Sequence, residues 1–187
     1  MKAISKRESL TKIQFDLSAP INPLVGLGGV SFTNTIKDFQ EMLTSKSFIN
    51  DNADNLEFSI DSKYFYLTIT TLNKELGIEI NLFNGRINSM TCRKGYLGRL
   101  DEDFGIGTSI KEALEKDKTL GFNLDQDWFD RIPFDGLIIY PPSNLIDKCI
   151  DAAVSGTDFP NFNIETIELI ELSFAKEHFP DGQLTFE

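Results

Sequence analysis

The stretch from Tyr64 to Cys92 reads YFYLTITTLNKELGIEINLFNGRINSMTC and carries a sequence of strand patterns broken by turn signals. In its first part Tyr66 and Thr68 alternate with Leu67 and Ile69. A period of two residues in β-branched and aromatic side chains is typical of a β-strand that fills both faces of a sheet. The stretch therefore predicts consecutive strands within one sheet.

Two turn signals separate these strands. Asn73 to Gly77 reads NKELG and predicts the first hairpin turn, and Asn84-Gly85 is the strongest short hairpin signal in the chain. Because hairpins join antiparallel neighbours, the pattern indicates a meandering antiparallel sheet. Further strand patterns are LEFSI at 56–60, GFNLD at 121–125 and DGLIIYPP at 135–142.

Two segments near the C-terminus need separate interpretation. Residues 143–156, SNLIDKCIDAAVSG, open with polar caps and end in Gly156, which predicts a helix inserted among the later strands. Residues 161–177, NFNIETIELIELSFAKE, fit a strand or a helix. The β-branched residues of the first half favour a strand.

The chain also contains a degenerate internal repeat. GLGGVSFTNTIKDFQEML at 26–43 aligns with RLDEDFGIGTSIKEALEK at 99–116, each with glycines before a helix. Thr35 with Asp38, and Ser109 with Glu112, have the spacing of a capping box, strong for the Ser–Glu pair and weaker for Thr–Asp. The alignment indicates two related units of glycine turn, helix and strands.

These patterns together predict an α+β fold with antiparallel meandering sheets packed with three or so helices. The 187 residues, 41% of them hydrophobic, form one domain at 1–187. Its pseudo-repeat halves lie at about 24–98 and 99–187.

Composition limits the compartment and the partners. No apolar run reaches the roughly 18 residues that span a bilayer, and no signal peptide is evident, which predicts a cytoplasmic protein. Cys92 and Cys149 are expected to be free, buried thiols. The formal net charge is −11 with a pI near 4.6. Such a surface repels nucleic acid and anionic membranes, and residues 101–135 hold ten acids against four bases.

The sequence motifs closest to a phosphate loop and a calcium loop each lack a required residue. The glycines before Ser109 lack the lysine of a phosphate loop and follow acids, so the turn is expected to be helix-entry architecture. Asn123, Asp125 and Asp127 have the first spacing of a calcium loop, but Trp128 stands where the turn glycine belongs. A solvated acidic loop is expected there instead. We predict no catalytic residue, no metal and no cofactor.

Residues 123–136, NLDQDWFDRIPFDG, interleave aromatic and acidic side chains. Such a surface suits a basic protein partner, because carboxylates steer and pair with Lys and Arg while rings anchor. The alternative is that the rings are core residues under a polar loop. The predicted partner-binding residues are the acids Asp101, Glu102, Asp103, Asp125, Asp127 and Asp130 with the anchors Trp128 and Phe129.

KGYLGRL at 94–100 and FGIGTSIKEAL at 104–114, ahead of this acid-rich stretch, carry a family resemblance. The small, acidic α+β chain resembles the immunity proteins of bacterial contact-dependent growth inhibition and related polymorphic toxin systems. The resemblance implies a cytosolic, non-enzymatic inhibitor that binds the C-terminal domain of a cognate toxin, often a nuclease. It carries over no catalytic residues, because that family has none.

Two alternatives from other classes stay open at this point. A carboxylate-based hydrolase could use two acids of the 101–135 segment, as glycosidases do. It requires a buried acid with a raised pKa in a cleft. An accessory protein that assembles with itself is the other alternative.

Overall fold

A computed structural model describes residues 15–40, 56–101 and 103–179 of the chain. In chain order the strands are β1 (Gly26–Leu27), β2 (Val30–Ser31), β3 (Leu56–Asp61), β4 (Tyr66–Thr71), β5 (Leu76–Asn81), β6 (Ile87–Arg93), β7 (Arg99–Leu100), β8 (Phe104–Gly105), β9 (Leu120–Asn123), β10 (Trp128–Arg131), β11 (Leu137–Ile139) and β12 (Thr166–Ile170). The α-helices of the described residues are α1 (Ile110–Lys116), α2 (Ile146–Ser155) and α3 (Leu172–His178), and a short 3-10 helix spans Ser143–Leu145. The α+β class predicted from the sequence is confirmed.

Eight of the strands form one antiparallel sheet in the order β3-β4-β5-β6-β12-β11-β10-β9. Each half of the sheet is a meander, and the halves meet where β6 pairs with β12, with Met90 opposite Leu169. Counted inward from its own edge, each half has its strands in chain order: β3 to β6 from one edge and β9 to β12 from the other. This symmetry supports the interpretation of two related units.

The two units also begin alike. A short hairpin, β1-β2 or β7-β8, precedes each predicted capping residue. Thr35 then forms an isolated bridge with Arg86, and Ser109 forms one with Asn163. Each bridging partner lies just before the last strand of its unit, β6 or β12. In the described residues, the hairpin, the capping residue and its bridge therefore recur in both halves of the chain.

Each of the two predicted capping boxes forms half of its hydrogen bonds. Ser109 Oγ accepts from the backbone N–H of Glu112 at 3.1 Å, while the Glu112 carboxylate pairs with Lys116. The backbone N–H of Thr35 donates to Asp38 Oδ2 at 2.7 Å. Asp38 thus reaches back despite its short side chain. Beyond residue 40 the predicted first helix lies outside the described residues.

One face of the sheet is buried in the main hydrophobic core. Ile69, Ile78, Met90, Phe129 and Leu169 contribute side chains from β4, β5, β6, β10 and β12, each no more than 1% exposed. Residues of the segment 15–40, of α1 and of α2 belong to the same cluster and cover this face. Both cysteines are free and buried, as predicted.

The opposite face is covered over one half only. There Trp128, Ile138 and Ile170 pack with Ala175 of α3 in a second, smaller cluster. On the other half, β3 to β6 present mostly polar side chains, and most of this half is open to solvent, although Tyr66 of β4 contacts Phe174 of α3.

Residues 123–136 differ from the prediction of a solvated acidic loop. Residues 128–131 form β10, which pairs with β9 on one side and β11 on the other. The strand forms because Phe129 enters the main core and because the Asp130 carboxylate accepts hydrogen bonds from neighbouring side chains. Residues 124–127 form the β9–β10 turn, and residues 132–136 connect β10 to β11.

The C-terminal segments are partly as predicted. The inserted helix is present, ending at Gly156 with φ 68°, but no side chain caps its start. Residues 161–177 contain both structures that the sequence left open: β12 ends at Ile170, and α3 follows. Glu171 separates them, because its carboxylate accepts from the N–H of Phe174 and caps the helix.

Among the described residues, no helix is long and apolar enough to cross a bilayer.

Candidate functional site

The predicted partner-binding acids fall into two places. Asp125 and Asp127 are exposed at the β9–β10 turn. Asp101 and Asp103 are exposed at the β7–β8 turn, which lies near the far end of β10, where Arg131 contacts Asp101. The three residue steps of β10 separate these ends by about 10 Å. Glu102 lies outside the described residues.

The predicted anchors do not reach the surface. Trp128 is 7% exposed and Phe129 is 0% exposed, so both rings are core residues, the alternative that the sequence had left open. Asp130 is 4% exposed and accepts hydrogen bonds from Trp128 Nε1 at 3.0 Å and from Asn123 Nδ2 at 2.8 Å. Trp128, Phe129 and Asp130 were predicted to contact the partner directly. The structure instead places all three in the interior.

Several acids of the 101–135 segment instead hold Arg131. Its guanidinium pairs with Asp117 at 2.6 Å, with Asp135 at 2.9 Å and with Asp101 at 2.8 Å. Burial acts to raise the pKa of Asp117, but hydrogen bonds from Thr119 and Arg131 outweigh it and lower that pKa. Asp117 and Asp135, whose side chains are 13% and 22% exposed, therefore have a structural role, whereas Asp101, at 64%, pairs with Arg131 at the surface.

The remaining acids of residues 101–135 are mostly unpaired. Glu112 is the exception among those described, because its carboxylate forms an ion pair with Lys116 at 2.8 Å. Within the described part of the chain, four exposed carboxylates of the segment form no ion pair: Asp103, Glu115, Asp125 and Asp127. Leu124, beside Asp125 in the β9–β10 turn, is 49% exposed and supplies the apolar surface that the buried rings do not.

A groove that was not predicted from the sequence lies on the open half of the second sheet face. It has a volume of about 460 Å³, and its lining comes from β3, β4, β5, β6 and β12. Glu79 stands in the row Thr68–Glu79–Ser89 across β4, β5 and β6. The alternation of Gly77 and Glu79 with Ile78 and Ile80 in β5 is the sequence signal that marked this face as polar.

Glu79 is the most perturbed acid of the groove. Burial raises its pKa, and the nearby carboxylates of Glu168 and Asp61 raise it further. No hydrogen bond or ion pair to its side chain is formed within the described residues. Glu168, by contrast, accepts a hydrogen bond of 2.6 Å from the Tyr140 hydroxyl, and burial together with this carboxylate raises the pKa of Tyr140.

The structure shows where Asp130 and His178, the residues considered for catalysis, lie relative to the groove and to other side chains. Burial raises the pKa of Asp130, but Asp130 lines neither the groove nor the 310 Å³ cavity beside Arg131. The hydrolase alternative needs a raised-pKa acid of residues 101–135 in a cleft, and Glu79, which has a raised pKa in the groove, lies outside that segment. His178 stacks on Phe174 with ring centroids 3.9 Å apart. In the described ranges no group of three His, Cys, Asp or Glu residues could hold a metal ion.

Comparisons with known proteins return no matching family, no matching curated protein and no matching solved structure.

Proposed function

We propose that this protein is a cytosolic immunity protein that binds and blocks a basic toxin domain, with nucleases as the first toxin class to test. One observation carries the proposal: Asp103, Glu115, Asp125 and Asp127 are exposed and form no ion pair within the described residues. Carboxylates that form no ion pair keep their negative potential for a partner, whereas the three around Arg131 share one positive charge and lose part of theirs.

The physical basis is charge complementarity. A nuclease binds the phosphates of its substrate in a cleft rich in Lys and Arg, and a surface of carboxylates can occupy that cleft in place of the polyanion. Asp125 and Asp127 flank the tip of the β9–β10 turn, with Leu124 exposed beside them. This turn supplies charge and apolar contact together, which is the composition expected of a small interface centre.

The test measures association with the C-terminal domain encoded by the reading frame immediately upstream. The variant Asp125→Lys/Asp127→Lys is compared with Glu165→Lys/Glu177→Lys, which makes the same charge change at exposed positions outside the 101–135 segment. Stopped-flow traces are recorded from about 0.05 to 0.5 M salt, because screening shortens the reach of surface charges over this range.

We expect the wild-type on-rate to fall with salt and the turn variant to associate at least about tenfold more slowly than the control variant. Equal on-rates for the two variants would remove the β9–β10 turn from the interface. Failure of the wild-type protein to bind the toxin domain, or to protect cells that express it, would overturn the proposed function itself.

A further inference from the structure

The groove on the open sheet face has a floor that lacks a side chain. Gly77 of β5 lies between Thr70 of β4 and Thr91 of β6 in one cross-strand row. A Cβ at Gly77 would stand 3.6 Å from Thr70 Cγ2 and 4.0 Å from Thr91 Cβ, which is ordinary van der Waals contact. Residue 77 has room for a side chain, so its glycine leaves a depression in an otherwise filled polar face.

Polar groups that line this depression have unused hydrogen-bonding capacity. Ser89 is only 8% exposed, yet its hydroxyl forms no hydrogen bond with any described residue. The Glu79 carboxylate, its cross-strand neighbour, is also without a donor in the described part of the chain. Ser89 is more than nine-tenths buried with a hydroxyl unpaired within the described residues, and Glu79 is a half-buried residue that lines the groove, so these two groups offer acceptors to a ligand that supplies hydrogen-bond donors.

The acidic and basic side chains of the groove lie in different parts of it. Glu79 and Glu168 lie on either side of β6, and Thr91 of β6 stands directly opposite Glu168. Lys74 and Arg93 line the end near the β4–β5 turn. A ligand that matches this pattern has a cationic, donor-rich group at the carboxylates and acceptor groups towards Lys74 and Arg93.

We propose that the groove binds the arginine side chain of an extended peptide. The guanidinium has five N–H donors in a planar fork, enough for Glu79 and for the hydroxyls of Ser89 and Thr91 together. Main-chain carbonyls of the same peptide accept from Lys74 and Arg93. The groove is distinct from the acidic segment 101–135, so this proposal does not depend on the proposed function.

The experiment is a titration of the isotope-labelled protein with the peptide acetyl-Gly-Arg-Gly-amide, followed by NMR. The matched control peptide carries citrulline, which has the shape of arginine without its charge. We expect saturable shifts of the Gly77 and Thr91 amide resonances with the arginine peptide and at least about tenfold weaker binding of the citrulline peptide.

Two variants locate the site. Glu79→Gln removes the charge, and Gly77→Val fills the floor with a residue that suits a strand. Both are expected to weaken binding at least about tenfold, whereas Glu165→Gln, outside the groove, leaves it unchanged. Thermal unfolding of each variant checks that the fold is retained. The proposal is overturned by equal binding of both peptides, by unchanged binding in folded Glu79→Gln, or by the absence of saturable shifts.

Discussion

Arg131 is held by three carboxylates that come from separate parts of the chain. Its side chain is 17% exposed, and those of Asp117 and Asp135 are 13% and 22% exposed. Arg131→Met leaves these acids without a counter-charge, so we expect the free energy of unfolding to fall by about 2–4 kcal/mol. Urea denaturation at pH 7 measures this loss, and Arg131→Lys, which retains the charge but not the fork, should recover part of it.

The loss should depend on pH in a defined direction. The pKa of Asp117 is lowered in the folded state from an ordinary value of 3.8. A lowered pKa stabilises the fold above the unfolded value, and this stabilisation disappears as the pH falls through the folded value. The gap between wild type and Arg131→Met should therefore be full at pH 6 and shrink below about pH 4. A gap that does not change with pH would contradict this account.

Glu79 should have the opposite effect. Its pKa is raised above the ordinary value of 4.5, so the folded state favours the protonated acid. Stability from this group is present below the unfolded pKa and is lost as the pH rises through the folded one. We expect Glu79→Gln to be more stable than wild type at pH 7 by up to about 1 kcal/mol, allowing for partial exposure, and equal to it near pH 4.

Differential scanning calorimetry measures this as a rise in Tm of about 2–4 °C at pH 7. Glu57→Gln is the matched control, because Glu57 lines the same groove but is exposed on the edge strand β3. Its Tm should change little. A lower Tm for Glu79→Gln at pH 7 would show that the carboxylate is stabilised in a way that the structure does not contain.

At the scale of elements, one hydroxyl connects the N-terminal segment to the turn after β6. Tyr96 Oη accepts from the N–H of Gly28 at 2.7 Å and donates to the carbonyl of Ala19 at 2.7 Å. Tyr96→Phe leaves a buried donor and acceptor unpaired, so we expect a loss of about 1–3 kcal/mol. Hydrogen exchange of the Gly28 amide should accelerate more than that of Met90 in the central strand β6, which localises the effect.

Elements with local signals were predicted correctly. The Asn84-Gly85 hairpin forms because Gly85 takes φ 72° and its N–H donates to Asn81, interactions that need only neighbouring residues. Strand β10 was missed because Asp130 looked solvated, whereas its burial depends on the Trp128 indole and the Asn123 amide. The burial of such an acid can be predicted only when the positions of its hydrogen-bond donors are known.

At the scale of the whole molecule, the sequence predicted the class and suggested the repeat, but it carried no information on which strands meet at the centre. The groove depends on that pairing, because Glu168 of β12 reaches the polar face of β5 and β6 only when β12 lies beside β6. The predicted acidic surface was likewise divided by Arg131, which captures acids distant in sequence. Sites assembled from non-local contacts cannot be read from spacing alone.

The central β6–β12 pair can form only after most of the described chain has been synthesised. Its partners Met90 and Leu169 are 79 residues apart, and within the eight-stranded sheet this strand pair joins the two meanders. During synthesis the first meander leaves the ribosome well before its neighbour, with the edge of β6 unprotected. Until β12 emerges, the edge of β6 has no partner in the sheet, so we expect the yield of native protein to respond to translation speed across residues 94–170.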